Sequence, residues 1–362
     1  MTGRHAPQDS PRPPRLVAWE TTRACNLACR HCRAEAVPDA APGQLDAAES
    51  LGLLKGLARF NPRPMVILSG GEPLMRPDIL ELARFGTSLG LRMLLSTNGT
   101  LLTPKLAREI KEAGVARLSL SIDAPEAGEH DEFRGLPGSF EATKAAAAML
   151  LEAGLPFQIN STITPDNIKK TEAISKLALD MGAAAHHVFL LVPVGRAKDM
   201  GPDLLPAASY EEALVGLRLR EDSLGLEFKA TCAPQYNRIS RSLGLPDPPR
   251  SVRGCLGGQG FMFVSHDGFV WPCGYLPLSA GSTRVEDPVS IYENSKLFLD
   301  LRDKTKYRGS CGDCEYWAVC GGCRARAHAA GDHLGPEPLC PHLPRAKSPR
   351  QEARDSQAWA AT

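Results

Sequence analysis

Eleven cysteines in 362 residues are the first chemistry this sequence offers. Cys25, Cys29 and Cys32 stand at C-x3-C-x2-C spacing directly after an apolar run, residues 16–19. Three thiolates on one short loop can hold three irons of a 4Fe–4S cluster and leave the fourth iron open to a small molecule. A zinc knuckle is the competing use of such a loop. Seven more cysteines crowd the C-terminal third. Cys255 and Cys273 flank a hairpin pattern over 261–271 with an Asp267-Gly268 turn. Cys311-x2-Cys314-x5-Cys320-x2-Cys323 follows, and then Cys340. Two C-x2-C pairs also suit zinc. Cys232 stands alone between the groups and reads either as a ligand or as a core thiol.

Other residues have types suited to a small polar ligand. Gly70 and Gly71, ahead of Glu72, let backbone approach a ligand closely. Glu72 adds a negative charge beside an amine. Ser96, Asn98, Ser121 and Asp123 fall at strand ends, and Asn160 falls within a strand; strand-end capping is their competing use. Net charge is +1, so no global field draws the chain to nucleic acid or membrane, and neither is expected as a partner. Residues 1–14 lack the apolar core of a signal peptide, and no apolar run reaches membrane-spanning length. The cysteines are therefore expected as metal ligands in a reducing cytoplasm rather than as disulfides.

The elements that must position these residues follow from hydrophobic period. Strands are predicted over 16–20, 65–68, 92–95, 117–122, 156–163 and 187–192. Helices are predicted over 45–59, 77–89, 104–113, 139–153 and 168–181. Strands alternating with helices imply parallel βαβ units. Six are too few to close an eight-stranded barrel, so the α/β fold expected is a partial (β/α)6 barrel. Its chemistry gathers at the carboxyl ends of the strands, where the cysteine loop and the polar motifs fall. A helix over 210–220 and a strand over 226–230 follow. The expected division is a disordered leader over 1–14, the barrel over 15–205, a bridging segment over 206–250, a cysteine-rich domain over 251–342 and a disordered tail over 343–362.

The first loop resembles the signature of the radical S-adenosylmethionine (SAM) enzymes, C-x3-C-x-aromatic-C, with His31 where the aromatic usually stands. That resemblance implies a catalytic 4Fe–4S cluster whose open iron binds the amine and carboxylate of SAM. It makes Gly70, Gly71 and Glu72 contacts for the methionyl amine, and Ser96, Asn98, Ser121, Asp123 and Asn160 contacts for the ribose or carboxylate. The C-terminal cysteines resemble the SPASM extension, an iron–sulfur domain, although Cys323 arrives one residue early. The resemblance implies one auxiliary 4Fe–4S cluster on Cys311, Cys314, Cys320 and Cys340. A second would use Cys255, Cys273 and Cys323, with Cys232 available as the fourth thiol.

Segments such as AWETTRACNLACRHCRAEA, ILSGGEPLMRPDI and AHHVFLLVPVGRA resemble the SAM-dependent haem synthases of the sirohaem-based route. The activity implied is oxidative decarboxylation of two propionates of Fe-coproporphyrin III to vinyl groups, with flavodoxin or ferredoxin as reductant. Arg134, Arg196, Arg238 and Arg253 are then candidates for the substrate's carboxylates. His186 and His187 are candidates for its iron, and alternation along a strand lets at most one of them face it. Rival readings are a haem d1 or didecarboxysirohaem enzyme, a peptide maturase, and an electron carrier without catalysis.

Overall fold

The structure, a computed structural model, describes residues 12–203, 205–248 and 254–344. The leader and tail expected from sequence lie mostly outside these residues, as does Arg253.

Ten strands form one sheet. They are β1 (Leu16–Glu20), β2 (Met65–Ser69), β3 (Arg92–Ser96), β4 (Leu118–Ser121), β5 (Phe157–Ile163), β6 (Ala185–Leu190), β7 (Glu227–Thr231), β8 (Phe261–Val264), β9 (Phe269–Trp271) and β10 (Gly281–Ser282). Strands β1 to β7 lie side by side in chain order, each parallel to the next. The helices between them are α1 (Ala47–Leu57), α2 (Ile79–Ser88), α3 (Pro104–Glu112), α4 (Ala127–Arg134), α5 (Ser139–Glu152), α6 (Thr171–Asp180) and α7 (Ala207–Arg220). Then come α8 (Gln235–Ser242), α9 (Pro288–Asn294), α10 (Lys296–Arg302), α11 (Gly309–Asp313) and α12 (Arg324–Ala329).

Alternation along the strands decides which side chains meet the helices. Val66, Leu68, Met93, Leu95, Leu118 and Leu120 are buried, in one core with Leu54, Leu57, Leu82, Ile110 and Leu150 of the helices. Each such leucine contributes about 1.5–3 kcal/mol by leaving water. Their neighbours Ile67, Ser69, Leu94, Ser96, Ser119 and Ser121 sit half-buried on the opposite face. Caps fix where the helices start. Asp46 accepts from the Glu49 amide while the Glu49 side chain accepts from the Asp46 amide, opening α1. Thr103 caps α3 just before Pro104.

The sheet does not stop at six strands. β7 adds to β6, and β8 adds in parallel to the other edge of β1, in register Leu16↔Phe261 through Trp19↔Val264. The hairpin β8–β9 matches its sequence prediction, but its place on the edge of β1 has no local signal. Helix α4 was not anticipated either: AGEHDEFR carries no apolar stripe, and the residues it buries are His130 and Arg134.

Candidate active site

The cysteine loop leaves β1 and is held from three sides. The first hold is the Gly70-Gly71-Glu72 turn after β2. The Gly71 amide donates to Thr22 O at 2.8 Å and the Glu72 amide to Ala24 O at 2.6 Å. A Cβ on Gly70 would lie 2.3 Å from Thr22 O, and one on Gly71 would lie 2.3 Å from Ala24 O. These glycines thus admit the backbone of the cysteine loop, where the sequence reading had them admit a ligand. Glu72 is likewise turned inward. Its Oε1 accepts from Thr97 Oγ1 at 2.7 Å and from the Leu74 amide at 3.0 Å, and its Oε2 accepts from the Asn98 amide at 2.7 Å. Its carboxylate is a brace between strand ends rather than a charge facing an open space. Burial pushes its pKa up to about 7 despite those donors.

The second hold comes from the loop after β6. Arg196 donates from Nε to Cys29 O and from Nη1 to Ala36 O, both at 2.9 Å, and its amide donates to Cys32 O at 3.0 Å. The third is the end of α4. The Arg30 amide donates to Phe133 O at 3.1 Å. The rings of His31 and Phe133 stack at 4.3 Å with 8° between planes. His31 therefore packs as an aromatic would, and burial drives its pKa down to about 3, so it is neutral. Arg134 reaches Cys29 Sγ at 3.9 Å from Nη1. Main-chain amides also face the sulfurs, Leu27 toward Cys25 at 3.4 Å and Ala36 toward Cys32 at 3.5 Å.

Asp123 is turned into the protein. Its Oδ2 accepts from Arg134 Nε at 2.6 Å and its Oδ1 from the Thr162 amide at 2.7 Å. Burial, the largest influence, would raise its pKa, but Arg134, the neighbouring His31 and His130 and the Thr162 amide together outweigh it and hold the carboxyl below its usual value. Arg134 is spent on Asp123 and Cys29, whereas Arg196 holds the cysteine loop through Nε and Nη1 and keeps a buried Nη2 with no hydrogen-bond partner. Asn98 stays at the loop's rim. Its Nδ2 donates to Asn26 Oδ1 at 2.9 Å and approaches Cys25 Sγ at 4.0 Å.

Ser96, Ser121 and Asn160 do share the inner face. Register carries a polar row across it, Ser96↔Ser119↔Gln158, and a second, Ser121↔Asn160↔His187↔Lys229. Ser119, Gln158 and Lys229 were missed in the sequence, although alternation from Ser121 and Asn160 points to the first two. The histidine pair splits as alternation requires. His186 faces the helices, with Ser161 Oγ at 2.8 Å from its Nε2 and Ser175 Oγ at 2.8 Å from its Nδ1. His187 faces inward, with its Nδ1 3.0 Å from Gln158 Nε2. The same Nε2 donates to Asn160 Oδ1, which fixes the amide's orientation.

The C-terminal thiols fall into two groups. Cys311, Cys314, Cys320 and Cys340 line one cavity with Arg238 and His342. Cys273 and Cys323 lie within electrostatic reach of Cys255, and Cys232 lies within reach of all three. Cys232 has a left-handed backbone, φ +57°, which costs a non-glycine residue roughly 1–2 kcal/mol. Its carbonyl accepts from Arg326 Nη2 at 2.6 Å. Arg326 pairs at 2.8 Å with the buried Glu337, whose Oε2 accepts from the Cys323 amide at 2.7 Å. Four thiolates on one tetrahedral zinc would sit about 3.8 Å apart. Among the described residues, the trio whose ligand atoms all lie within 4.8 Å of one another is Cys314, Glu315 and His342, not a set of thiols.

Comparison with known proteins adds to this geometry. The Radical SAM superfamily model matches residues 19–178. The chain is 48% identical over 344 residues to the AdoMet-dependent heme synthase of Oleidesulfovibrio alaskensis, covering 92% of this chain and 88% of that protein. It is 46% identical over 345 residues to the enzyme of the same name from Methanosarcina barkeri, covering 92% and 98%. The chain belongs to the radical SAM superfamily. It is thus a radical SAM enzyme, and membership implies a 4Fe–4S cluster and SAM. The donor set fits: three thiols on one clamped loop, each with an N–H group toward its sulfur. The fold is shared with Streptococcus suis SuiB bound to its precursor peptide (TM-score 0.72, 16% identity, 92% of this chain and 77% of that one). It is also shared with anSMEcpe bound to AdoMet and a peptide (TM-score 0.67, 21% identity, 86% and 90%). Among the described residues no helix is long and apolar enough to cross a membrane.

Proposed function

We propose that this radical SAM enzyme converts two propionates of Fe-coproporphyrin III to vinyl groups, giving haem b. The observation that carries the reading is 45–48% identity, over 92% of the chain, to three AdoMet-dependent heme synthases. Identity to the pre-heme d1 synthase of Dinoroseobacter shibae is 31%, and to the Fe-coproporphyrin III synthase of Methanosarcina barkeri 34%. Each propionate loses a β-hydrogen atom, carbon dioxide and one electron. The SAM-bound cluster would supply the radical that takes the hydrogen.

The chain's own residues have separate tasks. Cys25, Cys29 and Cys32 seat that cluster, and the turn at residues 70–72, Arg196 and α4 hold their loop in place. The Gly71 and Glu72 amides are spent on that loop. Ser96, Ser121 and Asn160 offer hydrogen bonds from the inner face. Cys311, Cys314, Cys320 and Cys340 seat one auxiliary cluster. Cys232, Cys255, Cys273 and Cys323 seat another, and the backbone strain stored at Cys232 supports a ligand role there. Two such seats suit a reaction that must dispose of an electron per vinyl formed. Flavodoxin or ferredoxin is the class of protein expected to deliver the starting electron.

The test is anaerobic incubation of the reconstituted chain with Fe-coproporphyrin III, SAM and dithionite, followed by mass analysis. Counted from the protonated acid, the expected product has lost two carbon dioxides and four hydrogens, a β-hydrogen and a carboxyl proton at each site. 5′-Deoxyadenosine formed beside an unchanged porphyrin would refute the reading.

A further inference from the structure

Arg238 was a candidate for a substrate carboxylate, but its surroundings assign it elsewhere. It lies on α8 and is 3% exposed. Its Nη2 donates to Glu211 Oε2 on α7 and stands 3.9 Å from Cys340 Sγ. Its Nε is buried and has no hydrogen-bond partner. Leaving a buried charged donor unpaired is expensive, so this N–H calls for an acceptor. The cavity that Arg238 lines is walled by Cys311, Cys314, Cys320 and Cys340.

We infer that Arg238 is a positioning residue for the cluster seated by these four thiols, and that its charge and unpaired N–H raise that cluster's reduction potential. The inference rests on the auxiliary-cluster reading proposed above. Reduction adds one electron, and so one negative charge, to a centre that four thiolates already make anionic; no proton need move. A guanidinium in contact favours the more negative state, and hydrogen bonds to sulfur act in the same direction. Glu211 works against it. That carboxylate, 23% exposed, aims the guanidinium but places a negative charge behind it. The two residues of one ion pair therefore pull the potential in opposite directions. The raised potential makes this seat a resting place for the electron released with each carbon dioxide.

The test is a redox titration of the reconstituted full chain with dithionite, followed by electron paramagnetic resonance. The wave that Cys311→Ala/Cys314→Ala abolishes identifies the cluster. Arg238→Gln should lower its midpoint by at least a tenfold change in the reduction equilibrium, about 59 mV for one electron. Arg238→Lys should recover more than half of that, and Glu211→Gln should raise the midpoint above wild type. A bracing role alone predicts that Lys does no better than Gln and that Glu211→Gln gives no rise. An unchanged midpoint in Arg238→Gln at full iron content overturns the inference, as does a fall in Glu211→Gln. Should Arg238→Gln fail to hold iron, the other two variants decide. Full iron and no missing wave in the double cysteine variant would instead sink the auxiliary-cluster reading, and this inference with it.

Discussion

Three donors converge on the Glu72 carboxylate, and burial still lifts its pKa from 4.5 to about 7. Between those values the folded chain keeps a proton that the unfolded chain has released. Stability therefore falls as pH rises through that window, by up to about 3 kcal/mol. Glu72→Gln cannot titrate, so its denaturation midpoint should stay flat from pH 5 to pH 7.5 where the wild type declines. The variant should also be less stable at pH 5, by about 1–3 kcal/mol, because the amide NH2 faces a donor N–H. An equal decline in the variant would show that another group is responsible. The type of this residue was legible in the sequence and its orientation was not. The same holds for Asp123 and Arg134: a carboxylate at a strand end looks like a ligand until its partner, eleven residues on, is seen beside it.

Strands β1 to β6 and five of the helices between them could be read from period alone, because each buries one face, β1 to β5 in one core and β6 in a second core with β7 and α7. The short element that mattered most at the cysteine loop, α4, was invisible because its buried side is polar. The turn at Gly195 was equally silent. Its φ is +58°, and a Cβ there would lie 2.4 Å from Arg33 O and 2.5 Å from Cys32 O. Gly195→Ala must push the cysteine loop away from Arg196. Iron in the reconstituted protein should drop by about four atoms, with 5′-deoxyadenosine production lost. Full iron loading by chemical assay would mean that this turn does not hold the loop.

Across the whole molecule, the sheet ties distant parts of the chain together. β8 lies on the edge of β1, and no local pattern announces a parallel pairing between strands so far apart in sequence. The clamp on the cysteine loop has the same long reach: Arg196 follows Cys32 by 164 residues. At roughly 5–20 residues per second of synthesis, the thiols leave the ribosome on the order of 10–30 s before Arg196 exists. During that interval the loop lacks its later holds, and Cys25, Cys29 and Cys32 are open to oxidants and to the wrong metal. We expect iron to be installed late, on a chain already made past residue 196. Chains arrested on the ribosome at residue 190 should retain iron no better than an unstructured three-cysteine peptide, whereas chains arrested at residue 250 should retain it. Equal retention at both lengths would mean that the loop folds without its clamp. In a growing cell the supply of working enzyme would then be set by how well these three thiols are protected while the rest of the chain is still being made.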